Sequence, residues 1–218
     1  MEDIKIEVIN KDNKNIDEII NKILILQDKI MYNLSKNEGS KLFLLKKTKN
    51  DYINILKNNH IIVIAKDKSE NIIASTITKN SNHNYKQNNN INKIECGNCM
   101  VDPQYQGNNI LLKLLDKIKK YYENQNKLLT AEIVYNNFSS IKSFLKAGFI
   151  IANSEICKDD GAKLINLFYL QNLKFNKIEN KKEIKIENTG FEEYQNLTKA
   201  NKAICLLDKK CYEFNFID

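Results

Sequence analysis

Residues 101–111 (VDPQYQGNNIL) form a turn that leads into a helical pattern, an arrangement that can bind an anion. Gly107, Asn108 and Asn109 tolerate positive φ angles, and apolar residues recur at helical spacing from Ile110 onward. Such a turn directs free backbone N–H groups outward from the helix N-terminus, where the helix dipole adds positive potential. We therefore expect a phosphate-binding loop here. The same residues also fit an ordinary polar turn with a helix cap, and the pattern alone leaves both interpretations open.

Cys96 and Cys99 have the CxxC spacing that occurs in zinc and redox sites. They lie in a predicted strand, where positions three apart face opposite sides, and the sequence offers no second CxxC pair. Both histidines, His60 and His83, are distant in sequence. We therefore predict that no metal is bound.

Residues 137–149 (NFSSIKSFLKAGF) form a second pattern with fixed spacing. Asn137 stands at the start of a predicted helix, where its side chain could cap the helix or offer its amide to a ligand. Gly148 is a typical helix stop, and Phe149 opens the next strand. The interval between Gln106 and Asn137 leaves room for one long helix and one strand.

Both stretches resemble the GNAT superfamily of acyl-CoA-dependent N-acetyltransferases. The pyrophosphate loop of this family follows the pattern Gln/Arg-x-x-Gly-x-Gly/Ala after a Val-x-Pro-x-Tyr lead-in. Asn109 and Leu111 replace the two small residues of that pattern; asparagine keeps the left-handed conformation accessible, whereas the leucine side chain must turn into the core. Residues 137–149 follow the family's Asn-x-x-Ala/Ser-x-x-x-Tyr/Phe-x-Lys-x-Gly-Phe segment. The lead-in residues that match are Val101, Pro103, Tyr105 and Gln106.

The resemblance implies that acetyl-CoA is the co-substrate and lies between two splayed parallel strands. Backbone groups of residues 99–101 would hold its pantetheine arm, and residues 106–111 would hold its pyrophosphate. The cofactor-binding residues implied in this way are Cys99, Met100, Val101, Gln106, Gly107, Asn108, Asn109, Ile110, Leu111, Asn137, Ser140 and Phe144.

Direct attack of an amine on a thioester needs a neutral amine, a polarised carbonyl and a proton for the leaving thiolate. Glu95 lies close to the position of the catalytic glutamate in histone-type members of the family, and Glu132 on the next strand competes for this role. Phe144 stands where many members have a tyrosine that acts as the acid. Tyr135 or Tyr105 would then replace it, or the thiolate would take its proton from water. Our catalytic candidates are Glu95 and Tyr135.

Hydrophobic periodicity predicts the element order βααβββαβαββ, in which residues 101–111 and 137–149 each open a helix that follows a strand. The resemblance implies the same order. It gives a mixed α/β (α+β) fold with a mostly antiparallel central sheet, splayed parallel strands and helices on both faces. The predicted strands are 4–9, 61–65, 72–78, 93–101, 128–135, 149–157 and 163–170, and the predicted helices are 16–30, a segment through 52–56, 109–124 and 139–146.

The composition excludes several classes of protein. All 34 basic residues are lysines, and the net charge of +7 is spread along the chain. Because DNA recognition usually relies on arginine forks and clustered basic stripes, we expect no nucleic acid partner. No apolar run approaches the roughly 20 residues of a membrane span. The odd number of cysteines, five, and the charged start MEDIKIE predict a reducing cytoplasmic location.

We predict a GNAT-like domain at residues 1–173 and a C-terminal extension at residues 174–218. The extension contains a charged linker, a strand at 183–187, a helix at 191–206 and an aromatic end. About 45 residues cannot readily bury a core alone, so the extension should pack on the domain or on a partner subunit.

The predicted function is transfer of an acetyl group from acetyl-CoA to a primary amine of a small molecule or peptide, with a homodimer left open. The resemblance implies an acceptor pocket built from residues 33–42 and 157–162, where Asp159 and Asp160 could attract a cation. The alternative is a non-catalytic acyl-CoA-binding or protein-interaction module, because Asn109, Leu111 and Phe144 depart from the catalytic pattern.

Overall fold

The chain folds into two units, each of which contains antiparallel strands. A computed structural model describes residues 4–36, 44–81, 92–157, 161–169, 182–199, 202–207 and 210–215. The first unit comprises Met1–Asn82 and Ile94–Glu123, and the second comprises His83–Lys93 and Asn124–Asp218.

The first unit follows the predicted order of strands and helices. Its strands pair antiparallel in the order β1-β2-β3-β4. A 3-10 turn, Pro103–Tyr105, leads from β4 toward the last helix of the unit. The elements are β1 (Lys5–Ile9), α1 (Ile16–Lys36), α2 (Lys49–Lys57), β2 (Ile62–Lys66), β3 (Ile72–Asn80), β4 (Asn92–Val101) and α3 (Ile110–Tyr121).

Helices cover both faces of the first unit's sheet because its central strands are apolar on both sides. Ile62 and Ile64 of β2 belong to a core cluster with α1 and α2, whereas Val63 and Ala65 point to the opposite face and are buried as well. On that opposite face, Thr78 Oγ1 lies 2.9 Å from the hydroxyl of Tyr122 at the end of α3. The two sides of the sheet are called the α2 face and the α3 face below.

The start of α2 shows how local sequence fixes an element. Thr48 is the N-cap, and its hydroxyl accepts a hydrogen bond from the Asp51 backbone N–H at 3.3 Å. The Asp51 carboxylate accepts in return from the Thr48 backbone N–H at 2.7 Å. This reciprocal capping box satisfies two of the N–H groups that a helix start leaves without partners.

The second unit pairs its strands antiparallel in the order β5-β7-β6-β9-β10-β8. The two helices that the structure describes in this unit lie on one face of the sheet. The ring centres of Phe144 and Phe149 are 4.9 Å apart in an edge-to-face arrangement, and those of Tyr135 and Phe191 are 5.8 Å apart. The elements are β5 (Lys127–Val134), α4 (Phe138–Lys146), β6 (Ile150–Ile156), β7 (Lys163–Tyr169), β8 (Lys182–Ile184), α5 (Phe191–Lys199), β9 (Lys202–Leu207) and β10 (Lys210–Asn215), with a 3-10 turn at Ile186–Asn188.

The C-terminal residues extend the second unit's sheet. The helix predicted over 191–206 is wrong in its second half, because α5 ends at Lys199 and Lys202–Leu207 is strand β9. This apolar run is flanked by β6 on one side and β10 on the other, and Ala203 and Ile204 are buried there. Hydrophobic periodicity alone cannot distinguish a short buried strand from a helical segment. Hydrogen bonding to the neighbouring strands therefore determines that this segment is a strand. The predicted strand at 183–187 is also shorter, since it ends at Ile184.

The mixed α/β, mostly antiparallel fold class predicted from the sequence is confirmed. The two acidic residues Asp159 and Asp160, most of the linker at 174–182 and much of the expected acceptor pocket at 33–42 lie outside the described residues. The domain boundary at residue 173 stays a prediction. Among the helices that the structure describes, none has the length and apolar character needed to cross a membrane.

Candidate active site

Strand β4 contains a β-bulge at the point where the pantetheine contact was predicted to begin. Ser75 of β3 stands opposite Met100 and Ile77 opposite Gly97, so β4 has one residue more than β3 over this interval. Asn98 takes up the irregularity with a φ of +47°, a conformation that asparagine tolerates better than most residues. Bulges of this kind bend the strand and redirect its side chains.

The bulge brings Cys96 and Cys99 to the same face of the sheet. Cys96 stands opposite Thr78, while the Cys99 Sγ lies 3.3 Å from the Thr76 hydroxyl, and these two threonines share the α3 face. The expectation that the thiols face opposite sides is therefore wrong, because it assumed a regular strand.

The environment of the two thiols disfavours the thiolate form. Burial raises the pKa of the Cys96 thiol and raises that of Cys99 to about 11, so both are protonated near neutral pH. Within the described part of the chain, no group of three or more ligating side chains is close enough to hold a metal ion.

Glu95 lies on the α2 face of β4 and is 9% exposed. Its Oε2 is 3.1 Å from the Lys79 Nζ on β3, directly across the strand pair. Its Oε1 lies over Gly97, where a Cβ atom would come within 3.1 Å of it. The carboxylate is thus held between a lysine and a residue without a side chain.

The loop between β4 and α3 contains two residues with positive φ angles. Gly107 has a φ of +83° and Asn109 a φ of +55°, and Asn109 is the N-cap of α3 in the left-handed conformation. Asn109 makes no side-chain capping bond within the described residues, so the first N–H groups of α3 are left for solvent or a ligand. Asn108 Nδ2 instead donates back to the Tyr105 carbonyl at 3.1 Å.

The side chains around this loop are directed away from its N–H groups. Leu111 is only 9% exposed and belongs to the core, as its place in the loop pattern required. Gln106 Nε2 donates weakly to the Val101 carbonyl at 3.4 Å. At the end of β4, the Asp102 carboxylate accepts from the Gln104 N–H at 3.1 Å and pairs with Lys29 of α1 at 2.5 Å. The loop is therefore anchored to α1 while its backbone stays accessible.

In the second unit, Asn137 is the N-cap of α4. Its Oδ1 accepts from the Ser140 backbone N–H at 3.2 Å, which leaves the Nδ2 group as the part of this side chain that could serve a ligand. Phe144, four residues after Ser140 on α4, is 2% exposed and packs on Phe149 in the core. The cofactor contacts predicted for these residues stay predictions.

The two remaining candidates of the second unit occupy different faces of its sheet. Tyr135 packs its ring against Phe191 of α5, with the Lys163 Nζ 5.7 Å from the ring centre. Glu132 is half-buried on β5 and stands opposite Asn166 of β7, on the face turned away from α4 and α5. The roles of Tyr135 as acid and of Glu132 as a competing base stay predictions.

Sequence reasoning missed Asn98 and Tyr52. Asn98 Nδ2 donates to the Tyr52 hydroxyl of α2 at 2.9 Å, a contact between residues far apart in the chain. The one available signal was Gly97, because an isolated glycine within a strand pattern often marks a bulge.

Comparisons with known proteins agree on one fold. An N-acetyltransferase from Staphylococcus aureus Mu50 is 18% identical, with a TM-score of 0.53 over 77% of this chain and 97% of that chain. Arabidopsis thaliana NAA60 in complex with acetyl-CoA is 13% identical, with a TM-score of 0.54 over 78% and 99%. The ribosomal-protein-S5-alanine acetyltransferase from Vibrio fischeri is 14% identical, with a TM-score of 0.54 over 79% and 95%. No curated protein sequence matches the chain.

The fold is the one that these acetyltransferases share. A family model described as the acetyltransferase (GNAT) family matches residues 29–149, which is more than half of the chain. The chain belongs to this family and is an enzyme of the acyltransferase class, as the two sequence patterns predicted.

Proposed function

We propose that the protein transfers an acetyl group from acetyl-CoA to a primary amine by direct attack. The observation that carries this proposal is the loop at the start of α3, in which Gly107 and Asn109 have positive φ angles and the side chains leave the backbone N–H groups accessible. A pyrophosphate suits this site because the helix dipole and several N–H groups act on it together. The complex of Arabidopsis NAA60 with acetyl-CoA supports this choice of donor.

The donor would extend from this loop along β4, with residues 106–111 at the pyrophosphate and the backbone of residues 99–101 at the pantetheine arm. The same proposal assigns Asn137, Ser140 and Phe144 of the second unit to the cofactor. Asn137 would use its Nδ2 group, since its Oδ1 already caps α4. Phe144 would contribute apolar contact only, since its side chain has no proton to donate.

Glu95 would act as the general base on the acceptor. The ammonium group gives one proton to the Glu95 carboxylate, and the amine lone pair then forms a bond to the thioester carbon. The tetrahedral intermediate collapses when the carbon–sulfur bond breaks and its electron pair leaves with sulfur as the CoA thiolate. The new amide nitrogen loses its second proton, and the thiolate takes up a proton to give CoA. Overall, acetyl-CoA and an ammonium ion yield an N-acetyl amine, CoA and one proton.

The proton for the thiolate has three candidate sources. Tyr135 is the residue we assign, and water is the second candidate. Tyr105 is the third, although its hydroxyl donates to the Asp67 carboxylate at 3.3 Å and would have to leave that bond. The variant Tyr135→Phe tests the assignment, since loss of the acid should slow turnover by roughly 10²-fold. An unchanged rate would remove Tyr135 from the mechanism.

The acceptor is an amine of a small molecule or a peptide. The Vibrio fischeri relative acts on an alanine of a ribosomal protein, which favours including peptides with a free amino terminus among the test substrates. A homodimer, the cytoplasmic location and the lack of a nucleic acid partner stay predictions.

A pair of measurements tests the proposal. CoA should raise the melting temperature, and thiol release from acetyl-CoA should depend on an added amine. No thermal shift at millimolar CoA would contradict the proposed donor. A clear shift without turnover on any amine would favour the alternative, a non-catalytic acyl-CoA-binding module.

A further inference from the structure

The side-chain amide of Asn98 has one atom with a hydrogen-bond partner and one without a partner among the described residues. Its nitrogen donates to the Tyr52 hydroxyl at 2.9 Å. Its oxygen is buried and has no hydrogen-bond partner among the described residues. Leaving a buried acceptor without a partner costs free energy, because the atom loses its hydrogen bonds to water, so such an atom calls for an explanation.

Tyr52 fixes the direction in which this oxygen points. Its side chain is 0% exposed and belongs to the core cluster beneath α2. Burial also raises the pKa of the Tyr52 hydroxyl. The hydroxyl therefore stays neutral and keeps its hydrogen bond at every pH at which the enzyme would be assayed. With the nitrogen held by an immobile hydroxyl and the backbone held in the bulge, the amide oxygen has a fixed orientation.

Glu95 and Asn98 lie three positions apart on β4 and share the α2 face. The Glu95 carboxylate covers Gly97, which directly precedes Asn98 in the strand. Both side chains are on the α2 face, since Lys79, the partner of Glu95, follows the core residue Ile77 by two positions, and Asn98 contacts α2 itself. The α2 face of β4 therefore carries a carboxylate and an amide oxygen on either side of Gly97 in the sequence.

We propose that the Asn98 Oδ1 accepts an N–H bond from the acceptor amine beside Glu95. A primary ammonium group has three N–H bonds, so one can be directed to the carboxylate and a second to the amide oxygen. After Glu95 removes its proton, the bond to Asn98 holds the nitrogen while the lone pair turns to the thioester. This assignment rests on the proposed function and makes Asn98 a binding residue for the acceptor.

The variant Asn98→Gly removes the oxygen without straining the backbone, because glycine adopts a φ of +47° freely. It should raise the KM of the amine by about tenfold, the value of one lost hydrogen bond, and leave the KM of acetyl-CoA unchanged. Asn98→Asp keeps an oxygen at this position and should restore the amine KM to within about threefold of the wild type.

Two control variants separate substrate binding from support of the bulge. Tyr52→Phe removes the hydroxyl and keeps the Asn98 oxygen. Ser75→Ala removes another buried oxygen that has no partner among the described residues, on the same face and opposite Met100. Ser75→Ala should leave the amine KM within about threefold of the wild type, since it removes no amine contact. Tyr52→Phe releases the amide that its hydroxyl orients, so it should raise the amine KM by less than Asn98→Gly does and leave the KM of acetyl-CoA unchanged. If Tyr52→Phe and Asn98→Gly instead raise the KM of both substrates equally, Asn98 only supports the strand and the proposal is wrong.

The probes are butylamine, lysine methyl ester and a tetrapeptide with a free amino terminus, and the KM values are measured with the best of the three. A wild-type protein that binds no CoA and acetylates none of them overturns the proposed function, and this inference with it. A wild type that acetylates one of them, together with an unchanged amine KM in Asn98→Gly, overturns this inference alone.

Discussion

The carboxylate of Glu95 lies over the α-carbon of Gly97, so that a Cβ atom at this position would come within 3.1 Å of Oε1. The absence of a side chain at residue 97 therefore sets the position of the proposed base. Lys79 holds the other carboxylate oxygen at 3.1 Å, and the two contacts leave the group little freedom.

Gly97→Ala should displace the Glu95 carboxylate by a few tenths of an ångström. We expect kcat/KM to fall roughly tenfold, because general-base catalysis depends on hydrogen-bond reach, while the free energy of unfolding changes by about 1 kcal/mol. Gly190→Ala is the matched control, since within the described part of the chain no atom lies within 4 Å of its Cβ position. Steady-state kinetics and urea denaturation on both variants check this. Equal activity in the two variants would contradict a base at Glu95.

Gly107→Ala should weaken CoA binding through the backbone alone. No atom of the described residues lies within 4 Å of a Cβ at Gly107, but its φ of +83° is strained for alanine by roughly 1–2 kcal/mol. Gly161→Ala introduces the same kind of strain at a φ of +71° and in equally open space, in the loop between β6 and β7. Both variants should lose similar stability, and only Gly107→Ala should raise the Kd of CoA, by about fivefold or more. Calorimetric titration measures the Kd values, and a similar Kd in both would place the pyrophosphate elsewhere.

Lys29→Met should destabilise the first unit by leaving the Asp102 carboxylate without its cation. The Asp102 side chain is 8% exposed and that of Lys29 43% exposed, so solvent screens the pair in part and we expect a loss of about 1 kcal/mol. In the double variant with Asp102→Asn, the loss should be smaller than the sum of the two single losses. Urea denaturation of the four proteins gives the coupling energy, and strict additivity would show that the ion pair contributes nothing.

Cys99 should make stability depend on alkaline pH. Its pKa rises from 9.0 in the unfolded chain to about 11 in the fold because burial disfavours the thiolate. The folded state therefore binds this proton more tightly, and its contribution to stability, complete below pH 9, is lost as pH rises toward 11. Cys99→Ser removes the titrating group, so its urea midpoint should fall less than that of the wild type between about pH 8.5 and 10.5. Parallel curves for the two proteins would show that the thiol is not desolvated.

Much of the fold could be predicted because hydrophobic period and turn residues act locally. The helix at 109–124 and the strands around it follow from apolar spacing, and Asn109 adopts the left-handed conformation that asparagine tolerates. The bulge could not be predicted from the sequence, because one inserted residue does not change the number of apolar residues in β4. The same inserted residue moves Cys99 to the other face of the sheet. The contact of Asn98 with Tyr52 depends on how α2 packs on the sheet, which no local pattern records.

The C-terminal strands determine which strand forms the edge of the second unit's sheet. Without β9, β10 and β8, the edge would be β6, a strand of seven residues with exposed N–H and C=O groups. With them, the edge is β8, which has three residues and carries Lys182 and Glu183. A short charged edge is a poor template for another chain, so these strands protect the enzyme against edge-to-edge aggregation.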